Sequence, residues 1–173
     1  KRVLVASDLP LSWRPLVAGE IQNSTSQVLA DLLLGEGYMP EAFFGFQIGS
    51  VLTDHAMLFG FRCSQLDSSQ PVLDIATFTS DTRLRRIAQF FEADLATSGT
   101  LAEFNDSFGD DSFGVRLYIE IDDLTVPGSH LDLILDIVHF VESGSITTLA
   151  FFYPEGKYSE ISVSTLLEIL NTR

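Results

Sequence analysis

The chain has 173 residues, with 10 Lys or Arg against 24 Asp or Glu, a formal net charge of −14 and 46% apolar residues. With a mean hydropathy of +0.23 it is too apolar for an acidic disordered chain, and its length suits one packed domain of about 100–200 residues. The acidity excludes the basic stripe that nucleic-acid phosphates require and an electrostatic anchor on a membrane surface.

Val3 to Ala6 fits a short strand, and residues 8–23, with Pro10, Trp13 and Pro15, read as an arm laid across the surface. Asn23-Ser24-Thr25-Ser26 opens a helix, with Gln27 placed as a capping box requires. That helix carries Val28, Leu29, Leu32 and Leu33 and stops at Gly35-Glu36-Gly37, where both glycines suit a left-handed cap. Phe44, Phe46 and Ile48 then alternate with Phe43, Gly45 and Gln47. After a turn at Thr53-Asp54-His55, Met57, Phe59, Phe61 and Cys63 share one strand face and Leu58 and Arg62 the other. A third strand is expected from Val72 to Thr79, completing an antiparallel meander.

Ser80 or Asp81 caps a second helix, in which Leu84, Ile87, Ala88, Phe91 and Leu95 share one face until Ser98-Gly99. Residues 100–112 read as an acidic loop. Val115, Leu117, Ile119 and Ile121 alternate with Arg116, Tyr118, Glu120 and Asp122, a strand with one buried and one wet face. From Ser129 to Gly144 the pattern predicts a third helix, apolar except for a narrow stripe of Asp132, Asp136, His139 and Ser143. Ile146 to Tyr153 suit a last strand, and Ser162 or Ser164 caps a terminal helix carrying Val163, Leu166, Leu167 and Leu170.

Runs of strands beside separate helices imply an α+β fold in two layers, a mostly antiparallel sheet with helices packed on one face. The expected organisation is a single domain, 1–173, with a core at about 24–143, an N-terminal arm at 1–23 and a C-terminal strand-helix addition at 145–173. The lone Cys63 permits no internal disulfide and suits a reducing compartment. The apolar run of the first residues ends at Ser7-Asp8, too early for a signal peptide, and no stretch approaches the ~20 apolar residues of a membrane span. A cytoplasmic location is the expectation.

The chain holds no G-x-S-x-G elbow, phosphate loop, dinucleotide fingerprint or H-E-x-x-H. Asp132, Asp136 and His139 are the one set that invites metal or acid–base chemistry; the plainer account is the solvated edge of an amphipathic helix. The acidic stretch fails the EF-hand spacing, since Asp111 stands where glycine is needed after Asp106; Asp110, Asp111, Asp122 and Asp123 would otherwise have to gather across the loop. Arg83, Arg85 and Arg86 crowd the first turns of one helix, the unfavourable end for cations, as a clamp for an acidic partner or as ordinary surface charge. Among fourteen phenylalanines, Phe43, Phe44 and Phe46 load both faces of one strand. A sheet with helices on one side leaves the other face to be covered by the Trp13 arm, by a twin subunit or by a client polypeptide.

Leu101-Ala102-Glu103-Phe104-Asn105, followed by a strand from Phe113-Gly114 through Val115-Arg116-Leu117-Tyr118-Ile119, resembles the corresponding stretch of the bacterial YbjN-like family. The likeness covers about residues 24–143. It implies the class I type III secretion chaperone-like architecture, an α-βββ-α-β-α core, in small acidic dimers that bind partner polypeptides through apolar patches and have no catalytic residues. It also implies a structural role for Asn105 in the turn that enters the strand.

The expectation is therefore a non-enzymatic, acidic protein- or peptide-binding module, chaperone-like or regulatory, working as a homodimer through apolar sheet and helix surfaces. Phe43, Phe44, Phe46, Arg83 and Arg86 are the candidate partner-binding residues; no metal or cofactor is expected, nor a nucleic-acid or membrane partner. The alternatives are a structural subunit of a larger assembly and a small metal-dependent enzyme using Asp132, Asp136 and His139.

Overall fold

The computed structural model describes residues 4–10, 12–16, 23–49, 53–65, 74–101, 111–158 and 163–171. Alternation of apolar side chains with a period of two organises most of it into one seven-stranded, wholly antiparallel sheet. In chain order the elements are β1 (Arg14–Pro15), α1 (Asn23–Leu33), β2 (Tyr38–Ile48), β3 (Ala56–Gln65), α2 (Ile75–Phe78), α3 (Asp81–Phe90), β4 (Asp94–Thr100), β5 (Asp111–Asp122), β6 (His130–Glu142), β7 (Ser145–Pro154) and α4 (Val163–Asn171). Across the sheet the strands run β1-β2-β3-β7-β6-β5-β4.

The fold is α+β, as expected, but two elements exchange type. Residues 75–78 of the expected third strand form the short helix α2, because Asp74 caps it by accepting from the Thr77 N–H and hydroxyl at 3.3 and 2.6 Å; residues 72 and 73 lie outside the described residues. The expected third helix is the long strand β6. Asp132 and Asp136 are four residues apart, a spacing that fits a helix face and a strand face alike; Ile134, Ile137, Val138 and Val141 favour the strand. Gly144 serves as half of a two-residue hairpin: Ser143 and Gly144 take φ of +50° and +78° between the paired Glu142 and Ser145.

A third boundary also moves. Helix α3 ends at Phe90, and Glu92 at φ +56° turns the chain into β4, so Leu95 faces Ile119 across strands instead of continuing the helix. The observed order of α-ββ-αα-ββββ-α thus departs from the expected α-βββ-α-β-α. Residues 145–154, taken as an addition outside the core, make the strand that joins the two halves of the sheet.

The sheet is covered on both faces, a correction to the expected one-sided packing. On the first face, Leu29, Ala30 and Leu33 of α1, Phe78 of α2, and Leu84, Ile87 and Ala88 of α3 pack on Phe59, Phe61, Leu117, Ile119, Leu135 and Ile137. On the second face, Leu166, Leu167 and Leu170 of α4 join Leu4, Leu9 and Trp13 over Phe44, Phe46, Leu58, Leu149 and Phe151. Of the three expected covers for the phenylalanine strand, the chain's own Trp13 arm is one that the structure supplies, with α4 beside it. Trp13 lies 5.9 Å from the Phe151 ring and 6.1 Å from the Tyr158 ring.

Candidate functional site

Burial decides the fate of the candidate residues. Phe44 and Phe46 are buried in the second core, and Phe43 is half-buried against the first. Phe44 and Phe46 thus pack with the chain's own arm and α4, and Phe43 packs in part against the first core.

Arg83 and Arg86 do come together. Both line a groove of about 710 Å³ between α1 and α3, with Val28 and Phe90, 50% and 43% exposed, as its apolar part and Asp31 and Glu36 on the α1 side. Arg83 is largely committed to the fold: its Nη2 donates to the Leu32 carbonyl at 3.1 Å and its guanidinium stands 5.2 Å from the centre of the Phe78 ring. Burial and the nearby Arg86 hold the Arg83 pKa below the ordinary arginine value. Arg86 is exposed. Arg85, the third cation of the cluster, donates to Asp81 at 2.8 Å.

The set Asp132, Asp136 and His139 does not converge. Along β6 successive side chains point to opposite faces, so Asp132 and Asp136 lie on the second face and His139 on the first. Neither buried member is a solvated edge: Asp136 is 1% and His139 2% exposed. Asp136 takes a bidentate pair of bonds from Arg116, Nε at 2.7 Å and Nη2 at 2.8 Å, and a third from the Tyr153 hydroxyl at 3.0 Å. The bond to Asp136 raises the Arg116 pKa; burial, then the Asp136 charge, raises that of Tyr153. With its oxygens engaged in this way, the carboxylate is a structural counter-ion.

His139 shares a 2.9 Å hydrogen bond with Thr148 and stacks on Phe78 at 4.6 Å. Burial, then Arg83, pushes its pKa down to about 3, so the ring is neutral. Burial drives the Cys63 thiol up to about 12, making it an inert core group. Among the described residues, no three His, Cys, Asp or Glu side chains are grouped to hold a metal. Asp111 and Asp122 stand at opposite ends of β5 and cannot share an ion; Asp110 and Asn105 lie outside the described residues.

What the sequence analysis missed is an edge. Strand β4 closes one side of the sheet; six of its seven residues are exposed, and among the described residues no strand pairs with its outer side. Leu101 N–H donates to the Gly114 carbonyl at 2.9 Å. Antiparallel ladders alternate inward and outward groups, so Thr97 and Gly99 bond to β5, while the N–H and C=O of Ser98 and Thr100 point away from it. A Cβ added at Gly99 would meet nothing within 4 Å. At the start of this strand Asp94 stands opposite Glu120, and Glu120 opposite Asp132. Glu155, whose N–H donates to the Asp132 carbonyl at 3.0 Å, extends this row of exposed carboxylates. The loss of period-2 signal at Ala96, where the ladder shifts register, hid the strand.

No helix among the described residues is long and apolar enough to cross a membrane. Comparison with protein-family models finds no match for this chain, and comparison with curated proteins finds none.

Proposed function

We propose that this protein is a non-enzymatic polypeptide-binding module that accepts an extended segment as an added strand on β4. The observation that carries this proposal is the outer side of β4, where among the described residues no strand meets the outward backbone donors and acceptors of Ser98 and Thr100. An edge without proline, lysine or arginine is a template for another strand, with main-chain bonds supplying affinity and alternate side chains supplying selectivity. The chaperone-like and YbjN-like character, the homodimer and the cytoplasmic setting belong to the same proposal. Two supports are the acidity, which keeps a binder soluble, and the β5 alternation shared with the family stretch. The working surface moves from the apolar sheet faces, which the arm and helices cover, to the strand edge.

Selection of extended peptides from a displayed random library tests the proposal, using the wild type and Ser98→Pro side by side. The Ser98 N–H points outward, so proline there removes a donor for an incoming strand and leaves the β4–β5 bonds intact. Enrichment by the wild type that disappears in a Ser98→Pro protein of unchanged melting temperature is the expected result. No enrichment by the wild type, or equal enrichment by both, contradicts it.

A further inference from the structure

Resting on that assignment of β4, we infer that the strand it accepts is basic at one end: an antiparallel segment of another polypeptide with Lys or Arg near its C-terminus and small or β-branched residues before them. The outer side of β4 is uniform in its backbone but not in its charge. At its start lie Asp94, Glu120 and Asp132, side by side on the second face of three neighbouring strands, with Glu155 beyond. Like charges placed directly opposite one another destabilise a sheet. Arg85 bonds to Asp81 and shares its charge with Asp94, and Lys157 pairs with Asp54 at 3.5 Å, which leaves Glu120 and Asp132 without a cationic partner among the described residues.

An added strand beside Asp94 would put one side chain next to this row, and the residue two positions along would stay on the same face. A lysine or arginine at these places offsets the repulsion. Farther along, the second face of β4 shows only Thr97 and Gly99, beside Tyr118 and an Arg116 already paired with Asp136. A second cation has no partner there, which confines the basic residues to one end. The rest of the sheet is antiparallel, and an antiparallel addition sets its C-terminal end against Asp94. The chain's net charge of −14 adds a long-range attraction for such a segment.

The test is the affinity of a short alternating Val-Thr peptide carrying two lysines near its C-terminus, compared with versions holding glutamine in place of lysine and with the lysines moved to the N-terminus. The expected result is about tenfold tighter binding of the first peptide at low salt, a gap that narrows as salt is raised. The gap should close in Asp94→Asn/Glu120→Gln, and every peptide should be lost with Ser98→Pro. Equal binding of the lysine and glutamine peptides, both lost with Ser98→Pro, overturns the charge inference and leaves the edge assignment standing. Lysine-dependent binding that survives Ser98→Pro is adsorption to an acidic surface and overturns both. A concentration-dependent dimer that Ser98→Pro dissolves makes a second copy the occupant and overturns the basic segment.

Discussion

On the β2 side of the sheet the chain covers part of its own backbone, whereas among the described residues nothing pairs with the outer side of β4. Arg14 and Pro15 pair with Gln47 and Phe46, and Leu16 N–H donates to the Gly45 carbonyl at 2.9 Å. Pro40 and the register shift before Ala42 blunt the other end of β2. These are the devices by which proteins keep edges from pairing. Strand β4 has one of them, a register shift between Leu95 and Thr97, and then presents Ser98 and Thr100 unguarded. Among the described residues the chain blunts both ends of the β2 edge and leaves the second half of the β4 edge bare, the contrast on which the proposed strand-accepting role of β4 rests.

The largest effect that sharpens this comparison belongs to the closed side. Trp13→Ala removes a buried indole that seals the arm over Phe151 and should cost about 3–5 kcal/mol, read by denaturant unfolding. A cost near zero would mean that the arm does not close that side. Next comes a matched pair of glycines. A Cβ at Gly60 would lie 2.4 Å from Phe44 and 2.7 Å from the Thr148 carbonyl oxygen, so Gly60→Ala should cost about 1–3 kcal/mol. Gly99→Ala on the open edge should stay within about 0.5 kcal/mol. Equal costs at the two positions would erase the contrast.

Between these in size lies a pH effect inside the closed layer. His139 is neutral when folded, with a pKa near 3, and titrates near 6.5 when unfolded. Below pH 6.5 the unfolded chain takes up a proton that the folded chain refuses. The stability is therefore full above pH 6.5 and falls progressively toward pH 3, by about 2 kcal/mol at pH 5. His139→Leu should flatten the pH dependence of unfolding in this window. An identical slope in wild type and variant would mean that the ring is not buried neutral.

The parts of the fold that were legible in the sequence were those with strict alternation. Residues 56–65 and 111–122 gave both the strands and their faces, because Phe59, Phe61, Val115, Leu117 and Ile119 alternate toward the first core while their neighbours Leu58 and Tyr118 turn to the second. Strand β6 was not legible as a strand: a sheet covered on both faces makes a nearly continuous apolar run, which periodicity alone does not separate from a buried helix. The Asp136 pair was hidden for the same reason, since Arg116 is twenty positions away and is brought opposite by register alone. Of the candidate partner residues, Arg83 and Arg86 were placed in one groove, while Phe44 and Phe46 proved to be the seat of the arm. The β4 edge carries no apolar signature, because its meaning lies in backbone groups that every residue shares.

Amide hydrogen exchange at Ser98 and Thr100 tests the central claim most directly, measured on the free protein and with the C-terminally basic peptide bound. Fast exchange at these two amides in the free chain, beside protected Thr97 and Gly99, and strong protection of both in the complex is the predicted result. Binding that leaves Ser98 and Thr100 exchanging as before, or protection already present in the free chain, would contradict a strand-accepting edge at β4.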